Sequence, residues 1–189
     1  MFGLTYAEFT KKVGDKKFCK FINDKKKHYN FRYKEGLNED TIQFNPSGNC
    51  KSGGLYFTDI ENAKQWNDFG IYIVFIELCK DAQFYIEPCG TKYKTNKFII
   101  HKFINLNLKE TEEQTEDICK LAVQKNVNEF HFVKEQTEEI CKLAVQKNGI
   151  ILYNVKEQTE DICKLAVQQN IYALKYIKEQ TDEICKLAV

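Results

Sequence analysis

Cysteine and histidine are the residues here with the widest chemical repertoire; the 189-residue sequence has eight of the first and three of the second. Thiolates attack electrophiles, bind zinc and form disulfides, while imidazoles move protons and ligate metals. Their spacing argues against most of that. No CxxC pair occurs and no Cys/His cluster has zinc spacing. There is no HExxH metal motif and no phosphate-cradling glycine loop, so neither a cofactor nor a metal is expected. His101 and His131 are solitary in the sequence. Cys119, Cys141, Cys163 and Cys185 recur at one position of a repeated phrase. Packed helices lie roughly 8–10 Å apart, beyond the Cα separation of about 7 Å that a disulfide spans. All eight cysteines are therefore expected to be reduced, in a cytosolic-type compartment, and the four repeat cysteines to be small apolar core residues.

The elements that position these thiols follow from the phrase itself. It reads QTEDICKLAV at Gln114–Val123, QTEEICKLAV at Gln136–Val145, QTEDICKLAV at Gln158–Val167 and QTDEICKLAV at Gln180–Val189. A fixed period of about 22 residues marks a solenoid. Thr115, Thr137, Thr159 and Thr181, each followed by two acids, supply a hydroxyl N-cap and first-turn carboxylates that suit the helix dipole. The first helix of each pair is expected over Glu116–Gln124 and its equivalents, ended by Asn126, Asn148 and Asn170. Its apolar face is too wide for a lone surface helix and must be covered on more than one side. A second, shorter helix is expected over Asn128–Lys134, Ile150–Lys156 and Tyr172–Lys178. Its inward pairs would be Phe130 with Val133, Leu152 with Val155 and Leu174 with Ile177. The outward positions vary between repeats, and stacking leaves them free. That face is either a binding surface or an unconstrained solvent face. The aromatics Tyr153, Tyr172 and Tyr176 favour the first, because aromatics concentrate at interface hot spots.

Before the repeats, alternation and turn residues describe a different kind of domain. A helix is expected around Tyr6–Val13, with strands at Phe18–Asn23, His28–Tyr33, Gly53–Thr58, Ile71–Cys79, Ala82–Glu87 and Tyr93–Phe103. Gly36–Lys51 reads as a long loop. Asp59 is placed to N-cap a helix bearing Ile60, Ala63, Trp66 and Phe69, stopped by Gly70. The expected fold class is α+β: a mixed head over 1–107 with a small, mainly antiparallel sheet, then an α-solenoid of about three and a half helix pairs over 108–189. Charge divides as roughly +5 before and −4 after the boundary, without the dense basic stripe of a nucleic-acid binder. Lys25–Lys27 reads as a solvated turn. The longest apolar run, Ile71–Leu78, is too short to span a bilayer and contains Glu77. A soluble, cytoplasmic protein with no nucleic-acid or membrane partner is expected.

Two resemblances add to this. KEQTEEICKLAVQKNG and its copies, across Leu108–Val189, resemble a family of 22-residue helical repeats of unknown function from giant DNA viruses of amoebae such as mimiviruses. The stretch Tyr33–Trp66 resembles the domain that precedes such repeats, and the Lys-, Asn- and Ile-rich composition fits an A/T-rich viral genome. The family implies no activity. Separately, GGLYFTD at Gly53–Asp59 resembles a segment of ADP-ribosyltransferases. That resemblance implies an NAD-binding role for His28, nicotinamide stacking for Tyr56 and acceptor activation for Glu77. His28 is followed by Tyr29 and Asn30, where that family has Gly and then Ser or Thr. The simpler readings are a strand-edge histidine, a core tyrosine and an edge-facing carboxylate.

The leading expectation is a non-enzymatic protein-interaction module, viral and host-directed, that uses Ile150, Tyr153, Tyr172, Lys175 and Tyr176 to bind an unidentified protein partner. The alternative is an ADP-ribosyltransferase-like NAD-binding head, active or degenerate; a third reading is a purely structural array element. Ile184, Leu187 and Val189 on the last helix are expected to support self-association as a homodimer, because that helix repeats an apolar face with no later repeat to cover it.

Overall fold

The computed structural model describes residues 3–48 and 51–187. Cys50 and the self-association candidate Val189 lie outside the described residues. The chain divides into two compact units, Met1–Asn105 and Leu106–Val189. Its fold is α+β, with an antiparallel sheet and several helices. No helix among the described residues is long and apolar enough to cross a membrane.

The first unit opens with α1 (Tyr6–Val13), held by a reciprocal cap in which Glu8 accepts the Thr5 N–H at 2.8 Å and Thr5 Oγ1 accepts the Glu8 N–H. The strands are β1 (Phe18–Ile22), β2 (Lys27–His28), β3 (Phe31–Arg32), β4 (Gly36–Glu39), β5 (Leu55–Asp59), β6 (Tyr72–Leu78), β7 (Phe84–Ile86), β8 (Tyr93–Thr95), β9 (Lys97–Ile100) and β10 (Ile104–Asn105). The main sheet runs β4-β9-β6-β1-β5-β8-β7, with β10 also on β6, while β2 and β3 form a separate hairpin. α1 drives Phe9 into the centre of the core. Its ring stacks on Phe84 at 4.6 Å and meets Tyr93 edge-on at 5.5 Å and Phe18 at 5.7 Å. Beside this cluster the fully buried Asp59 carboxylate accepts from Tyr93 Oη at 2.8 Å and from Lys16 at 3.2 Å.

Several elements differ from the sequence reading. His28–Tyr33 is not one strand: Tyr29, at φ 51°, enters the left-handed region and folds the segment into the β2–β3 hairpin. The Gly36–Lys51 segment contains β4, which pairs with β9 along Gly36↔Ile100 to Glu39↔Lys97. Tyr93–Phe103 breaks into β8 and β9, with β10 following. Asp59 does cap the next helix, but η1 (Ile60–Phe69) is 3₁₀. Ile60, Ala63, Trp66 and Phe69 are spaced by three, which matches a three-residue turn and puts them in one row.

The second unit alternates α-helices with 3₁₀ helices: α2 (Glu116–Lys125), η2 (Val127–Phe132), α3 (Glu138–Lys147), η3 (Gly149–Asn154), α4 (Glu160–Gln169), η4 (Ile171–Tyr176) and α5 (Asp182–Lys186). Each α-helix is capped by its threonine, whose Oγ1 accepts the N–H three residues on, as in Ile118 to Thr115 and Ile140 to Thr137, both 3.4 Å. The second helices are 3₁₀ rather than α for the same reason as η1. Their inward residues include buried pairs at i, i+3, Phe130 with Val133 and Leu152 with Val155, although in η4 the buried pair is Ala173 with Ile177 and Leu174 is half-buried. The asparagines do not end their helices in the left-handed conformation. Asn126, Asn148 and Asn170 are extended, and their side chains cap the 3₁₀ helix that follows, Asn148 Oδ1 accepting the Ile150 N–H at 3.1 Å. The α-helices bury Ile140, Cys141, Ala144 and Val145 and their equivalents in α4. Neighbouring α-helices pack on each other, and η3 packs on η4.

Candidate functional site

On the second unit, the 3₁₀ helices carry the exposed aromatic residues. Tyr153 is 52 % and Tyr172 71 % exposed; Lys175 is exposed, and Ile150 and Tyr176 are half-buried. The rings run diagonally across successive repeats. His131 lies 6.1 Å from Tyr153, Tyr153 lies 5.7 Å from Tyr176, and the Lys175 ammonium sits 5.1 Å over the Tyr176 ring. Phe132 and Ile171 are also exposed and widen the apolar area. Neither belongs to the site expected from the sequence: Phe132 is an outward position of its helix, and Ile171 lies one residue before the expected helix start at Tyr172. Of the residues expected to self-associate, Leu187 is exposed, whereas Ile184 is buried within the unit.

The first unit has a cavity of about 250 Å³ where the sheet splits. β1 pairs with β5 only through Phe18↔Asp59 and Cys19↔Thr58, but stays with β6 as far as Ile22↔Tyr72. Beyond Cys19 the strands β1 and β5 diverge, and Lys20 Nζ reaches across to donate to the Tyr56 carbonyl at 2.7 Å. The cavity is lined by Lys20 from β1, Lys27 and His28 from β2, Tyr33, Tyr56 from β5, Trp66 and Phe69 from η1, and Lys92, among others. The Lys92 ammonium lies 4.4 Å over the Tyr56 ring and 5.1 Å over Trp66. Burial, then the charges of Lys20 and Lys92, pulls His28 down to about 4, so the ring is neutral at physiological pH. A second cavity, of about 460 Å³, shares His28, Tyr33 and Tyr56 with the first and is bounded by Gly53 and Gly54. Both glycines have positive φ, and a Cβ on Gly54 would lie 2.7 Å from the Lys94 side chain, so the close approach needs glycine. Lys94, fully buried, donates to the carbonyls of Asn45 and Lys51 at 2.9 and 3.0 Å and so holds both residues.

Of the three residues implied by the transferase resemblance, His28 and Tyr56 line this cavity and Glu77 does not. Glu77 is exposed on β6 and pairs with His101 at 2.8 Å. The repeat thiols Cys119, Cys141 and Cys163 are buried and unbridged, and burial raises each, Cys141 to about 11; Cys185, expected to be a core residue like them, is instead exposed on the short α5. Cys89 is the opposite case: it is exposed, and a hydrogen bond from Thr91 lowers its pKa.

Residues 137–181 match the model of a domain of unknown function, DUF4116. The chain is also similar to three repeat proteins of Acanthamoeba polyphaga mimivirus, described as ankyrin repeat proteins R868, R229 and R896. R868 is 30 % identical over 110 residues, covering 56 % of this chain and 55 % of that protein. R229 is 31 % identical over 111 residues, covering 51 % of this chain and 36 % of that protein. R896 is 35 % identical over 99 residues, covering 50 % of this chain and 30 % of that protein. The chain thus spans about half the length of R868 and about a third of the other two. The period of about 22 residues here is shorter than the roughly 33 of an ankyrin repeat. No solved structure matches. These similarities are to giant-virus proteins that contain repeats.

Proposed function

We propose that the chain is a protein-interaction module of giant-virus type, made of a head over residues 1–107 and a short α-solenoid over 108–189, which binds a host protein in the infected-cell cytoplasm through the outer face of its 3₁₀ helices. The carrying observation is the diagonal of rings from His131 through Tyr153 to Tyr176, with Tyr172 standing out beside it. Solenoids keep inward residues uniform so that repeats fit one another, and bind through the positions left over. Here those positions hold large amphipathic rings, which give contact area at little rotamer cost. Similarity to proteins named for ankyrin repeats fits an interaction module and gives no support to the transferase reading. The transferase reading also needs a carboxylate beside the cavity, and Glu77 lies on the exposed face of β6, paired with His101. Within the proposed reading, Leu187 is the contact through which a second copy adds to the array.

Site-specific photocrosslinking tests the face directly. A photoreactive residue at Tyr153 or Tyr172 should capture one discrete amoebal protein, and the same residue at Lys80 in the head should not. Equal capture at all three positions would remove the assignment.

A further inference from the structure

We propose that the cavity between β1 and β5 binds a small organic anion that carries an aromatic ring, with its anionic group held by Lys20, Lys27 and Lys92 and its ring set against Trp66 and Phe69. Three independent features of the cavity converge on that chemistry. The first is charge. Three lysines line the space and no carboxylate does, among the described residues. A cavity walled partly by low-dielectric aromatic surface strengthens such a field. His28 lies in the same surroundings, its ring kept neutral first by burial and then by the Lys20 and Lys92 charges. A cationic ligand would meet the same repulsion, so the preferred charge is negative.

The second feature is an orphaned donor. Trp66 Nε1 is buried with no hydrogen-bond partner among the described residues. Buried N–H groups are nearly always paired, with protein or water, and an acceptor on a bound ligand would complete this one. The third feature is aromatic surface. Tyr33, Tyr56 and Trp66 form much of the wall, and Phe69, 62 % exposed, packs 5.9 Å from Trp66. An exposed phenyl ring beside a half-buried indole gives a planar ligand a face to stack on. Size sets the scale of the ligand. At about 250 Å³ the cavity lies below the roughly 300–1,000 Å³ of drug-sized sites, which suits one ring and one anionic group.

The test is calorimetric titration of the full chain at low ionic strength with phenyl phosphate, inorganic phosphate and phenol. Phenyl phosphate should bind at least about tenfold more tightly than inorganic phosphate, and phenol should give no measurable heat. Lys27→Gln and Lys92→Gln should each weaken phenyl phosphate about fivefold or more, as should Phe69→Ala. Lys27 and Phe69 are exposed, so these variants should fold even if changes at Lys20 do not. Binding should also raise the His28 pKa, read by NMR from its ring protons, because a bound anion offsets the neighbouring ammonium charges. Equal affinity for phosphate and phenyl phosphate, no binding at millimolar concentration, or unchanged binding in a Lys27→Gln/Lys92→Gln double variant would overturn the proposal.

Discussion

Lys156 donates its main-chain N–H to Gln136 Oε1 at 3.0 Å, joining two turns that lie one repeat apart in the sequence. The other end of the same amide donates to the Asn154 carbonyl at 3.1 Å. Gln114 repeats both bonds with Lys134 and Phe132, and Gln158 with Lys178 and Tyr176, all at 3.0 Å. The glutamine before each capping threonine thus stitches its turn to the next. Gln136→Ala removes both bonds and should cost about 1–3 kcal/mol, measured by chemical denaturation. Gln136→Glu keeps the acceptor for Lys156 but sets a carboxylate oxygen against the Asn154 carbonyl, and should cost at least as much as alanine. By contrast, Glu138, which forms an exposed i, i+4 pair with Lys142 at 3.0 Å, should tolerate alanine with little change.

Thiol reactivity should sort by burial and local charge. Cys89 is exposed with a lowered pKa, whereas Cys141 is buried and raised to about 11. The thiolate is the reacting form. Timed alkylation of the native protein read by mass spectrometry should label Cys89 first and Cys141 and Cys163 last. Cys141→Asp should destabilise by several kcal/mol, since it buries an unpaired carboxylate. Early labelling of Cys141 at full native signal would contradict the packing described here.

Stability should fall on mild acidification because of His28. Its folded pKa is about 4 against an ordinary 6.5, so the unfolded chain takes up the proton first as pH falls. The stability tied to neutral His28 is therefore complete above about 6.5 and is lost progressively down to about 4. A further loss should begin below the ordinary carboxylate value, where Asp59, lowered by its bonds from Tyr93 and Asn62 despite burial, takes up a proton. His28→Gln should flatten the first window and leave the second. Denaturation midpoints measured from pH 7.5 to 3 separate the two; an unchanged slope in His28→Gln would contradict the assignment.

What was legible in the sequence was whatever depends on local chemistry repeated several times. The threonine caps, the buried Ile-Cys and Ala-Val pairs of α3 and α4, and the Asp59 cap could all be read from residue type and spacing. The 3₁₀ character of η1 was present as a three-residue spacing of Ile60, Ala63, Trp66 and Phe69, but three-residue and 3.6-residue periods differ little over two turns. The hairpin at Tyr29 left no signal, because a non-glycine residue at positive φ is held there by its surroundings rather than by its own preference. The glutamine stitches left a usable one: a polar residue kept at the same place before every cap had a structural task. The cavity was only half visible. Tyr56 and His28 were singled out by resemblance, but Lys20, Trp66, Phe69 and Lys92 meet them only because β1 leaves β5 after Cys19, a matter of register that a single sequence does not state.

Binding of a protein partner by the outer face of the 3₁₀ helices is measured most directly as the affinity of the crosslinked partner, once purified, for the full chain and for a Tyr153→Ser/Tyr172→Ser/Tyr176→Ser variant. Tyr153 and Tyr172 are largely solvent-exposed and Tyr176 is half-buried, so the denaturation midpoint of the variant is measured beside its affinity. Loss of two or three aromatic hot spots should weaken binding by about a hundredfold or more. An affinity within about twofold of wild type, with the fold intact, would contradict the account.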